Sequence, residues 1–300
     1  MDYFRDLFIS GLTKGSIYAL IALGYTMVYG IIALINFAHG EIYMIGAFVA
    51  LIASMVLGSL GLAGWGLFLA VGAIAVVYSA MYGWTVEKIA YKPLRGASRL
   101  APLISAIGMS IFLQNYVQLV QTPLFLNFPD LVPSIGFLEP ISHIVNKTQF
   151  MIWIVTAVLM AGLTAIIKFT RMGMGMRAVA QDKDMARLTG VNIDRVISMT
   201  FVLGSSLAAM GGLLIGCYMQ QIDFYIGFLA GMKAFTAAVL GGIGSIPGAV
   251  LGALVLGFAE SFAAGYISSD YEDVVAFVLL ILILIVRPGG IMGETQTQKV

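Results

Sequence analysis

Charged residues are scarce in this sequence: of 300 residues, 16 are Lys or Arg, 15 are Asp or Glu, and 60% belong to the apolar AVILMFWYC set. Soluble domains carry about 25% charged residues, and a soluble fold of this size could not bury such an apolar excess. The net charge of +1 lacks the basic surplus used to bind phosphates, so no nucleic acid is expected as a partner. Lipid must solvate most of the chain, which predicts an all-α polytopic integral membrane protein.

Cysteine and histidine are almost absent too. The single cysteine, Cys217, excludes a disulfide scaffold, and two histidines, His39 and His143, are too few for a metal or triad site. The sequence has no H-E-x-x-H motif and no G-x-x-x-x-G-K-[ST] phosphate loop. We therefore expect no catalytic residues, no metal site and no cofactor bound by this chain, and we discard a membrane-embedded enzyme. The start, 1–6, lacks the basic region of a signal peptide and is expected to be retained.

Long apolar runs are what the sequence does have. A membrane helix needs about 20 such residues, and the clear candidate spans are 7–30, 42–60, 64–86, 101–121, 149–169, 196–218 and 272–287. The stretch 228–265 is apolar throughout but broken at 241–248, so it forms either two short spans or a re-entrant pair. With a further break near 31–41, we predict one transmembrane domain over 1–300 with about 8–9 membrane segments.

The positions of Lys and Arg predict the orientation. Four of these residues fall in 87–99 and six in 168–195, so both loops are expected in the cytoplasm. The loops 122–148 and 266–273 hold one cation between them and are expected outside. The C-terminus is then cytoplasmic. The side of the N-terminus stays open, because it depends on whether 31–41 is a clean turn or dips into the membrane.

The cytoplasmic loop 171–195 is too long for a hairpin and contains helix signals. Asp182 or Asp184 can cap a helix N-terminus, the residues that follow favour helix, and Gly190 suits its end. The prediction is a helix of about two turns on the membrane surface, with Asp194 capping the next membrane helix. This surface helix either orders the loop or docks a cytoplasmic partner.

Both breaks hold candidate residues of a translocation path. Ionisable groups between apolar runs are costly and usually face a cavity or a partner; the alternative for the first break is a cytoplasmic turn with solvated side chains. In the second break, Gly244, Gly248 and Gly252 repeat every four residues, which predicts close helix packing. Irregular backbone there could also line the path. The candidates are Asn36, His39, Glu41, Gly241, Gly242, Gly244 and Ser245.

Two further ionisable groups, Lys233 and Glu260, lie in apolar surroundings near predicted span ends. They could pair, but we expect each to extend to a membrane interface. An ion-gradient-driven secondary amino acid transporter is the alternative function. It would need carboxylates or histidines within the spans, and the sequence offers Glu41 and Glu260 at best.

Several stretches resemble one family in order along the chain. The core of the surface helix, 184–191, is similar to the coupling helix of bacterial ABC importer permeases, although the Glu-Ala-Ala triplet is absent. Four other stretches, 36–41, 225–235, 241–248 and 287–293, resemble one branch of those permeases, and the likeness covers essentially the whole chain. That branch is the LivH-type permeases of high-affinity branched-chain amino acid ABC importers.

The resemblance implies a set of partners in the bacterial inner membrane. They are a homologous second permease chain, two cytoplasmic ATPase subunits that use ATP and Mg, and a periplasmic protein that binds leucine, isoleucine or valine. It also implies that loop 171–195 couples the ATPases to this chain. The residues expected to take part are Arg177, Asp182, Asp184, Met185, Ala186, Arg187, Leu188 and Gly190.

Overall fold

A computed structural model describes residues 2–98, 100–134, 136 and 144–293. The helices in this part of the chain are α1 (Asp2–Ile32), α2 (His39–Ser59), α3 (Gly64–Val86), α4 (Leu100–Val120), α5 (Lys147–Phe169), α6 (Arg171–Gln181), α7 (Lys183–Leu188), α8 (Ile193–Met219), α9 (Ile226–Gly241), α10 (Ile246–Tyr266) and α11 (Glu272–Val286). Strands β1 (Leu126–Asn127) and β2 (Gln221–Ile222) pair antiparallel. Arg99, His143 and the tail 294–300 lie outside the described residues.

The predicted all-α membrane fold is confirmed. Within the described ranges, seven helices are long and apolar enough to cross a membrane: α1, α2, α3 with its continuation to Leu94, α4, α5, α8 and α10. Helices α9 and α11 are shorter, with 16 and 15 residues. The broken stretch 228–265 therefore forms two helices, α9 and α10, which are joined through 242–245.

Helices α1 and α8 form the centre of the bundle, and α4 and α5 lie at its edge. The spanning windows of α1 and α8 are 89% and 78% buried, whereas those of α4 and α5 are each 22% buried. Glycines allow the central helices to approach closely, as small residues do in membranes. A Cβ on Gly46 of α2 would lie 2.6 Å from the Cα of Ala209 on α8. The faces of α4 and α5 that this chain leaves uncovered must contact lipid or another chain.

Contacts at the two ends of the bundle show that the basic loops lie at one end and the N-terminus at the other. Arg95 pairs with Glu87 and Asp194, so the two basic loops lie at the same end. The Tyr3 hydroxyl donates to the Gly265 main-chain oxygen at 2.5 Å, so the N-terminus lies at the opposite end, beside loop 266–273. If the basic loops are cytoplasmic, the N-terminus is therefore outside, a side that the sequence left open.

The predicted surface helix in loop 171–195 is present as α7. Asp182 caps it, because its Oδ1 accepts hydrogen bonds from the N–H groups of Asp184 at 2.9 Å and Met185 at 3.0 Å. Gly190 follows it with a φ of +85°, as a helix-terminating glycine does. The same loop contains a second helix, α6, which the sequence signals do not indicate. The prediction that Asp194 caps α8 is wrong, since the cap is Asn192.

The structure also corrects the expected separation of Lys233 and Glu260. The Lys233 ammonium lies 3.4 Å from the Glu260 carboxylate, so the two side chains pair, and they are only 11% and 0% exposed. The close packing predicted from the glycine repeat is found at two of its three glycines. Gly248 and Gly252 pack closely against α9, as the repeat predicts, but Gly244 lies in the turn before α10 with a φ of +98°, and nothing lies within 4 Å of a Cβ built on it.

Candidate functional site

The first break, between α1 and α2, is buried within the bundle. Asn36, His39 and Glu41 are each 1% exposed, so the alternative of a solvated turn is wrong. The Asn36 side-chain oxygen accepts hydrogen bonds from the Ala38 N–H at 3.1 Å and the Tyr91 hydroxyl at 3.0 Å. These bonds hold the non-helical backbone of the break, as irregular backbone inside a membrane requires.

The chain at this break starts its second helix well inside the bundle. A Cβ on Gly24 would overlap the His39 imidazole, and a Cβ on Gly204 would lie 3.5 Å from it. Gly24 precedes the end of α1 at Ile32 by eight residues, which corresponds to a depth of about 12 Å at 1.5 Å per residue. The first turn of α2, with Glu41, is therefore placed in the interior of the membrane region.

Glu41 has one carboxylate oxygen with a partner and one without. The Ser110 hydroxyl on α4 donates to Oε1 at 2.9 Å. Oε2 is buried and has no hydrogen-bond partner among the described residues. It points toward the first turn of α9, where a Cβ on Gly227 would lie 2.7 Å away. At this point α9 presents only the main chain of Gly227 to the oxygen, and Gly227 itself lines the cavity described next.

A cavity of about 170 Å³ lies beside this carboxylate, between α4 and α9. It opens on the surface of the chain past Ile107 and Phe228, which are 43% and 42% exposed. The walls are mostly apolar, with a few polar groups, as in pockets for small organic molecules. The residues that line it are Tyr25, Phe37, Ile107, Ser110, Ile111, Gln114, Tyr225, Gly227, Phe228, Gly231 and Met232.

The second break lies apart from this cavity, at the end that carries the basic loops. Gly241 accepts a hydrogen bond from the Met292 N–H at 2.9 Å, and Gly242, with a φ of +104°, is packed against Gly293. Gly244 and Ser245 line a larger cavity of about 890 Å³, together with the end of α1 and residues 179–183. The candidate residues of the first break, Asn36, His39 and Glu41, thus lie together in the bundle. The candidate residues of the second break, at 241–245, lie at a separate place.

The residues predicted for coupling differ in their exposure. Ala186 is 4% exposed and faces the protein, whereas Met185 and Leu188 are 63% and 81% exposed. Arg177 donates to the main-chain oxygens of Ile167 and Lys168 and so holds α6 to the end of α5. Asp184 and Arg187 line a cavity of about 600 Å³ with Arg95. Asp182 precedes α7 as its cap and Gly190 follows its end. The exposed apolar surface of α7 is formed by Met185 and Leu188.

Several residues around Glu41 and its cavity were not predicted from the sequence. Ser110, Gln114 and Tyr25 lie on other helices than Glu41, and no local pattern connects them to it. Gly227 and Gly231 are inside the stretch 225–235 that carried the family resemblance, but their role depends on where α2 crosses them. A Cβ on Gly231 would lie 3.0 Å from the Gly40 Cα. This close crossing of α2 and α9 is visible only in three dimensions.

The basic loop 87–99 has a partner that the sequence did not indicate. Glu87 is fully buried and accepts hydrogen bonds from Arg95 and, at 2.8 Å, from the Ser198 hydroxyl of α8. Asp194 at the start of α8 pairs with Arg95 at 2.5 Å and Lys92 at 3.0 Å. These ion pairs connect loop 87–99 to the helix that directly follows α7.

Comparison with known proteins places the chain in a family. The family described as branched-chain amino acid transport system, permease component, matches residues 7–284. The high-affinity branched-chain amino acid transport system permease protein LivH of Escherichia coli is 52% identical, over 99% of this chain and 98% of its own. The corresponding protein BraD of Pseudomonas aeruginosa is 51% identical over the same shares. The ribose import permease protein RbsC of Haemophilus influenzae is 25% identical, over 95% and 85%. The chain belongs to the family of permease components of branched-chain amino acid transport systems.

Proposed function

We propose that this chain is the membrane-spanning subunit of an ATP-driven importer of leucine, isoleucine and valine in the inner membrane. The observation that carries the proposal is identity of 51–52%, over 98–99% of both chains, to permeases named for high-affinity branched-chain amino acid transport. The apolar cavity beside Glu41 supports the proposal. A branched-chain amino acid has an apolar side chain, which suits the cavity, and a charged ammonium group, which suits a carboxylate. A ribose permease is far less similar, at 25% identity.

A second permease chain covers the face formed by α4 and α9. The cavity opens there, and Ser110, Gln114 and the Glu41 carboxylate lie in or behind its wall. Polar and ionisable groups at membrane depth face protein or a watery path and not hydrocarbon. The low burial of α4, at 22%, supports the same conclusion. The translocation path then runs between this face and the homologous second chain.

Two cytoplasmic ATPases drive the transport, and one of them docks on α7. The exposed pair Met185 and Leu188 supports this, because a protein docked on α7 would remove these two apolar side chains from water. Ala186 is buried in this chain and is not itself the contact. Because only residues 189–192 separate α7 from the start of α8, movement of α7 would be transmitted to α8. A periplasmic binding protein delivers the amino acid at the opposite end.

The double variant Met185→Ser/Leu188→Ser tests the docking site within the assembled importer. We expect its insertion and amount to be normal, while co-purification of the ATPase subunits and leucine uptake fall at least about tenfold, as for loss of buried interface anchors. Met55→Ser/Leu60→Ser is the matched control, since these side chains are 60% and 70% exposed at the other end of the bundle. Normal ATPase association in the α7 variant would contradict the docking site.

A further inference from the structure

The Glu41 carboxylate has the surroundings of a binding site for an amine. Resting on the proposed function, we propose that Glu41 Oε2 binds the ammonium group of the amino acid during its passage, while the substrate side chain occupies the neighbouring cavity. Ser110 acts as the positioning residue of this carboxylate. The site lies on the face of α2, α4 and α9 that the second permease chain would cover.

The first argument is the state of Glu41 itself. Its side chain is 1% exposed, and Oε2 has neither a cation nor a hydrogen-bond donor within the described part of the chain. A buried carboxylate without a partner is costly, so such groups are normally paired or hydrogen-bonded. The two other carboxylates that are buried among the described residues, Glu87 and Glu260, each pair with a cation and accept a hydrogen bond from a hydroxyl. Glu41 thus lacks a cation where the protein elsewhere supplies one.

The second argument is the geometry around the free oxygen. The Ser110 hydroxyl, 2.9 Å from Oε1, holds the carboxylate plane and leaves Oε2 toward Gly227. Gly227 and Gly231 present backbone without side chains and both line the cavity. The Tyr25 hydroxyl lines the same cavity one turn further along α9, 3.2 Å from the position of a Cβ on Gly231, and can accept another N–H of the ammonium group.

The third argument is the fit of the rest of an amino acid. The cavity measures about 170 Å³, and an apolar cavity of about 150 Å³ is large enough for benzene. A branched aliphatic side chain is smaller than that ring. Gln114 follows Ser110 by one turn of α4, on the same face, where its amide N–H can donate to the substrate carboxylate. The charge of the carboxylate, the apolar cavity and the amide donor match the three parts of a zwitterionic branched amino acid.

Photolabelling of the assembled importer in vesicles tests the site directly. The probe is a diazirine-bearing analogue of leucine, and the comparison probe has the same diazirine chain but no amino group. We expect the amine probe to label Ile107 or Phe228 and the comparison probe to label them at least about tenfold less, as expected for a lost charge-assisted hydrogen bond. Because this comparison uses the unaltered protein, it does not depend on the folding of a variant.

Two variants complete the test. Glu41→Gln, which keeps the shape and the Ser110 hydrogen bond, should lose labelling and uptake by at least about tenfold while the ATPase subunits still co-purify. Ser110→Ala should lower labelling less. Equal labelling by both probes, or normal labelling of Glu41→Gln, would overturn the proposal. Failure of the wild-type importer to assemble or to take up leucine would instead contradict the proposed function.

The lipid bilayer offers a second source of ammonium groups. Vesicles of phosphatidylglycerol contain no amine, and vesicles that also contain phosphatidylethanolamine do. We expect the labelling of the cavity by the amine probe to be the same in both. If phosphatidylethanolamine suppresses it in proportion to its amount, the site binds a lipid headgroup and the proposal is overturned.

Discussion

The Lys233 ammonium on α9 lies 2.7 Å from the Asp273 carboxylate and 3.4 Å from the Glu260 carboxylate, so one cation connects α9 to both α10 and α11. The Tyr18 hydroxyl of α1 donates to the other Glu260 oxygen at 2.8 Å. Helix α9, with 16 residues, is short for a membrane span. We infer that this network fixes its position, and with it the position of Gly227 opposite Glu41.

Removal of the lysine alone should destabilise the protein strongly. In Lys233→Met, Glu260 is left buried without a cation, and breaking a buried pair in this way costs about 3–5 kcal/mol. The thermal unfolding midpoint in detergent should fall, and so should the amount of protein in the membrane. The double variant Lys233→Met/Glu260→Gln should recover much of the loss, because the introduced amide oxygen would still accept from the Tyr18 hydroxyl.

The exposed ion pair of Arg5 with Asp2, at 3.2 Å, provides the control for this prediction. Arg5→Gln should change the free energy of unfolding by less than about 1 kcal/mol, as exposed pairs do. An unfolding midpoint for Lys233→Met equal to that of Arg5→Gln would show that the buried network does not stabilise the fold.

The crossing of α2 and α9 should not tolerate a methyl group. In Gly40→Ala, the new Cβ would lie 2.9 Å from the Gly231 Cα and would overlap the main-chain oxygen of Gly227. Forced overpacking of this kind costs about 1–3 kcal/mol. We expect a lower unfolding midpoint and reduced leucine uptake by the importer. Gly162→Ala on α5 is the matched control, since nothing lies within 4 Å of its Cβ; equal effects of the two changes would contradict the crossing.

The orientation can be tested with single cysteines in a Cys217→Ala background. Cysteines at Asp6, Ser134 and Ser269, all exposed in the structure, should react with an impermeant thiol reagent in intact cells. Cysteines at Ser98 and Lys183 should react only after the membrane is opened. Labelling at position 183 in intact cells would reverse the orientation and remove α7 from the cytoplasmic ATPases.

The purified chain alone should transport nothing in lipid vesicles. It has no phosphate loop for ATP. Of Glu41 and Glu260, the carboxylates that the sequence offers for coupling to a gradient, Glu260 is already paired with Lys233. Neither a proton nor a sodium gradient should therefore drive leucine accumulation. The control is the complete importer in the same vesicles with ATP. Gradient-driven uptake by the single chain would support the alternative of a secondary transporter.

Local signals predicted much of the fold. Apolar runs predicted most of the membrane helices. Of the two candidate caps, Asp182 and Asp184, the structure uses Asp182, and Gly190 follows the end of α7 as predicted, because capping depends on residues within one turn. The same reasoning failed at Asp194. Its neighbour Asn192 caps α8, and the Asp194 carboxylate instead pairs with the distant Arg95. A capping signal cannot reveal such competition from another loop.

Composition and the spacing of charges along the chain were enough to establish a helical membrane protein without a phosphate loop, and to indicate which loops share a side. The pairing of Lys233 with Glu260 became visible only in the folded chain. The same holds for Glu41, which is hydrogen-bonded to a serine 69 residues away and keeps one oxygen free beside a cavity. Those relationships depend on the packing of helices that are distant in sequence, and apolar periodicity does not specify which helix faces which.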